Sequence, residues 1–405
     1  MKVKNNLSTL AFAVFSLLAV NTASADAIKI NIAAKSNPVI NIGVTTNNNE
    51  LLDNIKKNFT IYNNIKINLN CLQGVDYCID VYDDIKGNNK EIVMSMEDKF
   101  KNKIFSSTLN TNAENKNINP LLNLIYQKIF NKESVYNNKL AYVERSFNNG
   151  KNNYKLVIED FNNQNRKVLL SSPMPITSID ISSDKNMLVY TSFEKVRPAI
   201  ILHSLKDNKR KFITNFKGIN AMSKFSPDNK KIVLSLSKDN TNELYLYDIE
   251  SNSLNKLTSD KYDNFDPLFI NNEELLFVSN RNGGNKLFKY NIKSKKIDYI
   301  NTKLNYISSL SYKDKQNVVA IIKDGSGYSL AEINHTNGKV KIIAHDSQAE
   351  SPTVASDLNI FYSTRSNGKN VIKMINENGK ILLIKRSENG ELKSPIISNG
   401  VKIWI

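Results

Sequence analysis

The chain has 405 residues, of which 40% are apolar and 9% aromatic, so it can bury a sizeable core and is not disordered overall. Its two cysteines and three histidines exclude a disulfide-stapled scaffold, a multi-cysteine zinc module and histidine-rich metal chemistry. The formal net charge of +16 suits either nucleic-acid binding or the Lys- and Asn-rich composition of an AT-rich genome. We favour the second, because the lysines are spread along the whole chain.

The first 25 residues have the three parts of a secretory signal peptide. Lys2 and Lys4 form a basic start, residues 7–20 are an apolar run, and Ala23-Ser24-Ala25 fits a cleavage site. The apolar run is too short to span a membrane, and no cysteine follows that could carry a lipid anchor. We therefore expect the mature protein to begin at Asp26 in an exported compartment.

Residues 26–136 have the pattern of a small mixed α/β domain. The first predicted strand, 26–32, places Ile28, Ile30 and Ile32 on one side. Further strands are predicted at 39–44, 65–69, 78–82, 91–96 and 104–109. Two amphipathic helices are predicted as well, one after a capping box formed by Asn47 and Glu50 and one around residues 118–129.

Cys71 and Cys78 lie between two of these strands. Cysteines this close can pair in an oxidising compartment, whereas their spacing is not the Cys-x-x-Cys of a redox-active pair. A structural disulfide and two buried thiols both remain open. The nearby Asp83 and Asp84 precede Lys86-Gly87-Asn88, a pattern typical of a polar turn rather than of a cation site.

From about residue 140 the helical periodicity ends, and short strands recur between turns rich in Asn, Asp, Ser and Gly. Two strand landmarks recur in phase over six copies, at the 42–44-residue interval typical of propeller blades. The first landmark ends at Asp160, Ser204, Asp248, Asn291, Asn334 and Asn376. Each repeat can be divided into four strands, for example 176–182, 187–192, 199–205 and 210–214.

The two ends of the repeat array complement each other. The first repeat begins at its second strand, near Leu140, and lacks an innermost strand. Residues 393–400 read as an innermost strand without a blade of its own, and they resemble residues 350–357. If this last strand completes the first blade, no sheet edge stays open. We therefore predict an α+β protein in which residues 137–405 form a six-bladed β-propeller closed by the C-terminal strand.

This organisation resembles the TolB family, the periplasmic propeller proteins of the Tol–Pal cell-envelope system. The segments that carry the resemblance are Tyr190-Thr191-Ser192-Phe193-Glu194-x-x-Arg197-Pro198-x-Ile200, Phe216-x-Gly218-x-Asn220-Ala221, Phe225-Ser226-Pro227-Asp228, Asp266-Pro267, Phe277-Val278-Ser279-Asn280-Arg281 and, in the first domain, Gly74-Val75-Asp76-Tyr77. The Ser-Phe-Glu-x-x-Arg-Pro segment is the most specific of them. Ile219 stands where the family has a basic or imidazole residue.

The resemblance implies a non-enzymatic periplasmic scaffold that supports outer-membrane integrity, constriction at cell division and protein import. It implies that one propeller face receives the Pal lipoprotein and that the mature N-terminal segment contacts TolA through Asp26, Ile28, Ile30 and Ile32. Other outer-membrane or peptidoglycan-associated proteins are further expected partners, whereas nucleic acid is not. The candidate Pal contacts are Arg197, Ile219, Asn220, Met222, Phe265, Asp266 and Glu350.

The sequence contains no motif of a known catalytic or cofactor site. No Gly-x-Ser-x-Gly elbow, His-Glu-x-x-His or phosphate-binding loop occurs, and Gly325-Ser326-Gly327 reads as a turn. The dispersed His203, His335 and His345 read as structural or surface residues. We therefore expect no enzymatic activity, no cofactor and no metal. The alternative function is an exported propeller that binds an unrelated peptide or glycan.

Overall fold

The computed structural model of the protein describes residues 38–112, 117–195, 197–238, 241–325, 327–387 and 390–398. The predicted signal peptide and the first predicted strand, with Asp26, Ile28, Ile30 and Ile32, lie outside these residues. Within the described ranges, no helix combines the length and the apolar character needed to cross a bilayer.

The N-terminal part contains a five-stranded sheet of order β2-β1-β3-β4-β5. Its elements are β1 (Ile40–Thr46), α1 (Asn49–Phe59), β2 (Ile65–Leu69), β3 (Tyr77–Lys86), β4 (Asn89–Asp98), β5 (Lys103–Asn112) and α2 (Asn119–Phe130). β1 pairs in parallel with β2 and β3, whereas β3, β4 and β5 are antiparallel. Alternate residues such as Ile42, Ile79 and Met94 are fully buried in one core with Ile55 of α1 and Leu122 of α2.

Two local predictions in this part are wrong. The N-cap of α1 is Asn48 rather than Asn47, because the Asn48 side chain accepts hydrogen bonds from the backbone N–H groups of Glu50 and Leu51. Asp83 lies within β3 and not in a turn. Its carboxylate pairs with Lys90 of the next strand at 2.8 Å, and β3 continues through Asp83 and Asp84 to Lys86, where the turn at Gly87-Asn88 follows.

Cys71 and Cys78 are joined by a disulfide, with their Cα atoms 5.3 Å apart. The bond closes the connection between β2 and β3, which passes over β1 at Gly43. A Cβ atom at Gly43 would lie 2.6 Å from the carbonyl oxygen of Asn70, so only glycine allows this close approach.

Replacing both cysteines with alanine should lower the free energy of unfolding by about 2 kcal/mol, because the bond closes a short loop and restricts the unfolded chain. Urea unfolding of the oxidised protein, with reduced wild type as the matched reference, measures the effect. Equal midpoints for oxidised wild type, reduced wild type and the double variant would contradict it.

The rest of the described chain contains a 3-10 turn (Val135–Asn137) and 24 strands in six four-stranded antiparallel sheets, here called blades 1 to 6. Blade 1 is β29 (Gly390–Ile397), β6 (Lys139–Asn148), β7 (Lys151–Asp160) and β8 (Lys167–Ser172). Blade 2 is β9 (Ile176–Ile181), β10 (Met187–Ser192), β11 (Ala199–Ser204) and β12 (Arg210–Thr214). Blade 3 is β13 (Asn220–Phe225), β14 (Lys231–Leu236), β15 (Glu243–Asp248) and β16 (Leu254–Lys256).

The remaining blades follow the same plan. Blade 4 is β17 (Asn264–Phe269), β18 (Glu274–Ser279), β19 (Lys286–Asn291) and β20 (Ile297–Ile300). Blade 5 is β21 (Ile307–Tyr312), β22 (Asn317–Asp324), β23 (Gly327–Asn334) and β24 (Val340–His345). Blade 6 is β25 (Glu350–Val354), β26 (Ile360–Ser366), β27 (Lys369–Ile375) and β28 (Ile381–Arg386). The predicted division of each repeat into four strands is confirmed.

The C-terminal strand completes blade 1, as predicted. β29 pairs with β6 from Gly390 opposite Ser146 to Ile397 opposite Leu140. A second link crosses the seam between blades 6 and 1, where Lys385 of β28 contacts the fully buried carboxylate of Glu159 at 2.7 Å. The strand pairing and this ion pair together close the ring.

The N-terminal sheet packs on blades 1 and 6 through one continuous apolar core, in which Tyr62 and Tyr136 join Phe361 and Met374. The carboxylate of Asp357 is buried at the centre of this junction and accepts hydrogen bonds from Tyr62 Oη at 2.7 Å and Val135 N–H at 2.9 Å. Burial raises the pKa of Asp357 to about 6. The division of the mature chain into domains at residues 26–136 and 137–405 stays a prediction.

Candidate partner-binding face and channel

The loops that carry Arg197 and Ile219 and the loops that precede the other candidate residues lie at the same edge of their blades. In blade 2, Ser192 at the end of β10 pairs with both Ile176 and Ala199, so the second strand ends where the first and third begin. Because the blades repeat this arrangement, residues 193–195, 197–198, 215–219, 259–263 and 346–349 lie on one face of the ring. We call these residues the loop face, and the opposite face, with turns such as 182–186, the turn face.

The structure divides the candidate residues by depth. On the loop face, Arg197 is exposed and Ile219 is half-buried, and beside it, near the starts of β25 and β17, Glu350 is exposed and Phe265 is half-buried. Met222 and Asp266 lie further in and line the central channel together. The predicted set is therefore divided between a surface rim and a channel wall.

Asn220 differs from the other candidates because its side chain is completely buried. Its Oδ1 accepts a hydrogen bond from the Phe216 backbone N–H at 3.2 Å, and its Nδ2 donates to the Phe216 carbonyl oxygen at 2.8 Å. Asn220 thus stabilises the conformation of the loop before β13. Its buried side chain cannot contact a partner directly in this conformation.

The equivalent residue of blade 4, Asn264, belongs to a network that the sequence analysis missed. The buried Glu243 carboxylate accepts hydrogen bonds from Asn264 Nδ2 at 3.1 Å and from the Asp260 N–H at 2.9 Å. The Arg281 guanidinium donates to Asn264 Oδ1 at 2.6 Å and to Asp260 Oδ2 at 3.0 Å. The network fixes the loop before Phe265. The 44-residue spacing of Asn220 and Asn264, one repeat apart, is the sequence feature that could have predicted their equivalent positions.

The loop that carries Arg197 is anchored at its start. Arg210 donates a hydrogen bond from Nε to Tyr190 Oη at 2.9 Å and forms an ion pair with Glu194. Burial raises the pKa of Tyr190 to about 12, so its hydroxyl keeps its proton and remains available for hydrogen bonding. This loop and the loops before β13 and β17 are thereby held in place before any partner arrives.

The channel is surrounded by the innermost strands and contains a cavity of about 240 Å³. At one position in every inner strand the backbone is left-handed, with φ between 48° and 56°. These residues are Ser178, Met222, Asp266, Ser309, Ser351 and Ser394. Each lies at a register shift in the pairing with the second strand, as at a β-bulge.

A left-handed conformation costs a residue other than glycine about 1–2 kcal/mol, and such strain concentrates at functional sites. This ring of left-handed residues was not predicted from the sequence. The repeated pairs Asp266-Pro267, Ser351-Pro352 and Ser394-Pro395 mark three of its positions.

Three charged side chains face the cavity and the part of the channel that adjoins it. Lys224 and Asp180 form an ion pair at 3.1 Å, and Asp180 also accepts the Phe225 N–H at 2.9 Å. Asp266 accepts the Ser309 N–H at 2.9 Å. Burial raises the pKa of Asp266, while the Ser309 N–H and Lys224 oppose that shift.

Outside the channel, two clusters of described residues resemble a metal site and a nucleophile site, but neither can act as one. Cys71, Cys78 and Asp80 are close enough to hold a metal, but the cysteines form a disulfide and offer no thiolate. Ser329 Oγ lies 2.8 Å from His345 Nδ1 and 3.0 Å from Asp324 Oδ2. Ser329 is completely buried and donates its proton to the carboxylate, so it is not an accessible nucleophile.

These features define a class of protein: a closed six-bladed β-propeller that follows a five-stranded α/β unit and presents preformed loops around a strained channel. Residues 126–400 match the family model described as TolB beta propeller domain. The chain belongs to the TolB β-propeller family.

Proteins similar to this chain include the Tol-Pal system protein TolB of Francisella tularensis subsp. mediasiatica, which is 29% identical over 266 residues. That alignment covers 62% of this chain and 61% of the relative, so the chain matches less than two thirds of the relative's length. The same protein of Ruthia magnifica subsp. Calyptogena magnifica is 30% identical over 138 residues, 34% of this chain and 32% of the relative. The crystal structure of TolB from Acinetobacter baumannii shares the fold. Its TM-score is 0.79 at 22% identity, covering 92% of this chain and 100% of that chain.

Proposed function

We propose that this protein is a non-catalytic periplasmic scaffold of the Tol–Pal system. In this proposal the loop face binds the Pal lipoprotein, and the mature N-terminal segment, 26–32, binds TolA. The resulting link between the outer and inner membranes would support envelope integrity and constriction during division. Membership of the TolB family and the names of the relatives support this assignment.

The observation that carries the proposal is the preorganised loop face. Buried networks around Asn220, Asn264 and Arg210 hold three neighbouring loops, and the exposed Arg197 lies on one of them. Loops that are ordered before binding lose less conformational entropy when a partner docks. A rigid rim around a concave centre suits a folded protein or a peptide segment as ligand.

Calorimetric titration of the mature chain with the soluble domain of Pal from the same organism tests the proposal. Binding is expected with a stoichiometry of one to one, and Phe265→Ala should weaken it at least tenfold, as expected for a central aromatic contact. Phe100→Ala is the matched control, because Phe100 is exposed in the turn between β4 and β5 and belongs to none of the propeller blades. Absence of binding by well-folded protein would favour the alternative, an unrelated peptide or glycan ligand.

The TolA part of the proposal has a separate test. A chain that begins at residue 38 should lose binding to the periplasmic domain of TolA and keep its affinity for Pal. The alternation of Ile28, Ile30 and Ile32 suits addition of this segment to the edge of a sheet in the partner. Unchanged TolA affinity of the shortened chain would contradict this assignment.

A further inference from the structure

The channel cavity has an unbalanced charge. Five of the six left-handed positions around it carry uncharged side chains, and the sixth carries the carboxylate of Asp266. The Lys224 ammonium group, which also lines the cavity, is paired with Asp180 at 3.1 Å. Lys224 is bonded to Asp180 and acts on Asp266 only through space, so Asp266 has no direct ion pair among the described residues.

The polar groups of the cavity also have unused hydrogen-bonding capacity. A carboxylate offers about four acceptor sites, and Asp266 receives the single N–H of Ser309. Ser223, which is 1% exposed, lines the same cavity, and its buried hydroxyl has no hydrogen-bond partner among the described residues. Buried polar groups are normally paired, so both groups point to a ligand that donates hydrogen bonds.

The dimensions and the donor set favour an organic cation over a metal ion. Calcium takes six to eight oxygen ligands, usually with several carboxylates, whereas this cavity offers one carboxylate and short hydroxyl side chains. Its volume of about 240 Å³ is several times that of a water molecule. It matches the end of a long side chain, and Pro267, Pro352 and Pro395 add apolar wall for an aliphatic stem.

We propose that the cavity receives the cationic end of a lysine or arginine side chain from the partner that docks on the loop face. The ammonium or guanidinium group would pair with Asp266 and fill its unused acceptor sites, while its stem would lie along the proline wall. This inference rests on the proposed function, because it supplies the chemistry by which the loop face selects its partner.

The variant that tests the pocket is Asp266→Asn. Asparagine tolerates the left-handed backbone of this position and keeps the side-chain volume, so the change removes the charge alone. Asp207→Asn is the matched control, since it removes one carboxylate from the β11–β12 turn on the turn face. Thermal unfolding of all three proteins checks that the fold is intact.

The first experiment uses small probes on the mature chain. Saturation-transfer NMR should detect n-butylguanidinium on wild type and Asp207→Asn, and lose the signal on Asp266→Asn. Neutral n-butylurea, of similar size, should give no signal on any of the three. Equal signals from the cation on wild type and Asp266→Asn would overturn the pocket.

The second experiment titrates the same three proteins with the soluble Pal domain. Asp266→Asn should weaken binding at least tenfold, and Asp207→Asn should leave it unchanged. Pal binding that is equally tight for all three would overturn the inference and leave the proposed function intact. If wild type binds n-butylguanidinium through Asp266 but does not bind Pal, the cation pocket is supported and the assignment of Pal as its partner is overturned.

Discussion

Replacing Asp357 with alanine is expected to lower the free energy of unfolding by about 3 kcal/mol or more. Asp357 lies in a turn of blade 6, 1% exposed, beneath the N-terminal sheet. Its Oδ2 accepts hydrogen bonds from Tyr62 Oη at 2.7 Å, Val135 N–H at 2.9 Å and Asn359 Nδ2 at 2.9 Å. Alanine would leave Tyr62 Oη and Asn359 Nδ2 without this acceptor and the Val135 N–H with only its longer bond to Tyr62 Oη at 3.2 Å, and each buried donor without an acceptor costs about 1–3 kcal/mol. Urea unfolding at neutral pH measures the loss.

Asp357→Asn is the control, because an amide oxygen can still accept from Tyr62 and Val135. Asp357→Asn also separates the effect of the negative charge on stability from the effect of the lost hydrogen bonds. Burial raises the pKa of Asp357 from 3.8 to about 6, so the folded protein binds this proton more tightly than the unfolded chain. Binding of this proton therefore contributes stability that is complete below about pH 4 and is lost as the pH rises through about 6, whereas the hydrogen bonds that Asp357 accepts still stabilise the fold at neutral pH.

The measurement for this pH effect is the difference in unfolding free energy between wild type and Asp357→Asn from pH 4 to pH 7. Wild type should lose stability relative to the variant across this range, by an amount of the order of 2–3 kcal/mol. The nearby ion pair between Lys132 and Glu377 is present in both proteins and cancels in the difference. Parallel pH profiles, or an alanine variant as stable as wild type, would show that the junction does not depend on this carboxylate.

Removal of the C-terminal strand is the second change with a large expected effect. A chain that ends at Ser387 lacks β29, so it loses the burial of Leu392, Ile396 and Ile397 and exposes the edge of β6. Each lost side chain is worth about 2–4 kcal/mol, and their sum is comparable with the whole stability of a typical domain. We expect loss of cooperative unfolding, measured by calorimetry, and association through the open edge, measured by size-exclusion chromatography.

A chain that ends at Ser398 is the matched control. It keeps every described contact of the seam, including the hydrogen bond from the Ile397 N–H to Thr353 Oγ1 at 3.2 Å. It should unfold as cooperatively as the full chain. A folded, monomeric protein that ends at Ser387 would show that the ring does not need its closing strand.

Much of the architecture could be predicted because blades form from neighbouring segments. The strand periodicity, the turns and the 42–44-residue repeat are local features, and they located strands such as β10 and β12 to the residue. The closing strand was also predictable, since residues 393–400 repeat the pattern of 350–357. Membership of the TolB family agrees with the resemblance that the Ser-Phe-Glu-x-x-Arg-Pro segment indicated.

The candidate site was predictable only in part. The sequence pattern placed Arg197, Phe265 and Glu350 at one edge of the blades, as strand order requires. It could not show that Asn220 is buried and holds its own loop. Nor could it reveal the left-handed backbone of Ser178 or Met222, because that conformation arises where the inner strands slip against their neighbours.

Asp184 and Asp357 show most clearly how far local sequence could predict the structure. Both follow a serine in the turn after an inner strand, and the sequence predicts the same polar turn for each. Asp184 is exposed, whereas Asp357 lies under Tyr62, 295 residues away along the chain. The short-range pattern determined the blades and their order. Only the packing of distant segments decided which of two equivalent carboxylates was removed from water, because desolvation depends on three-dimensional neighbours and not on sequence neighbours.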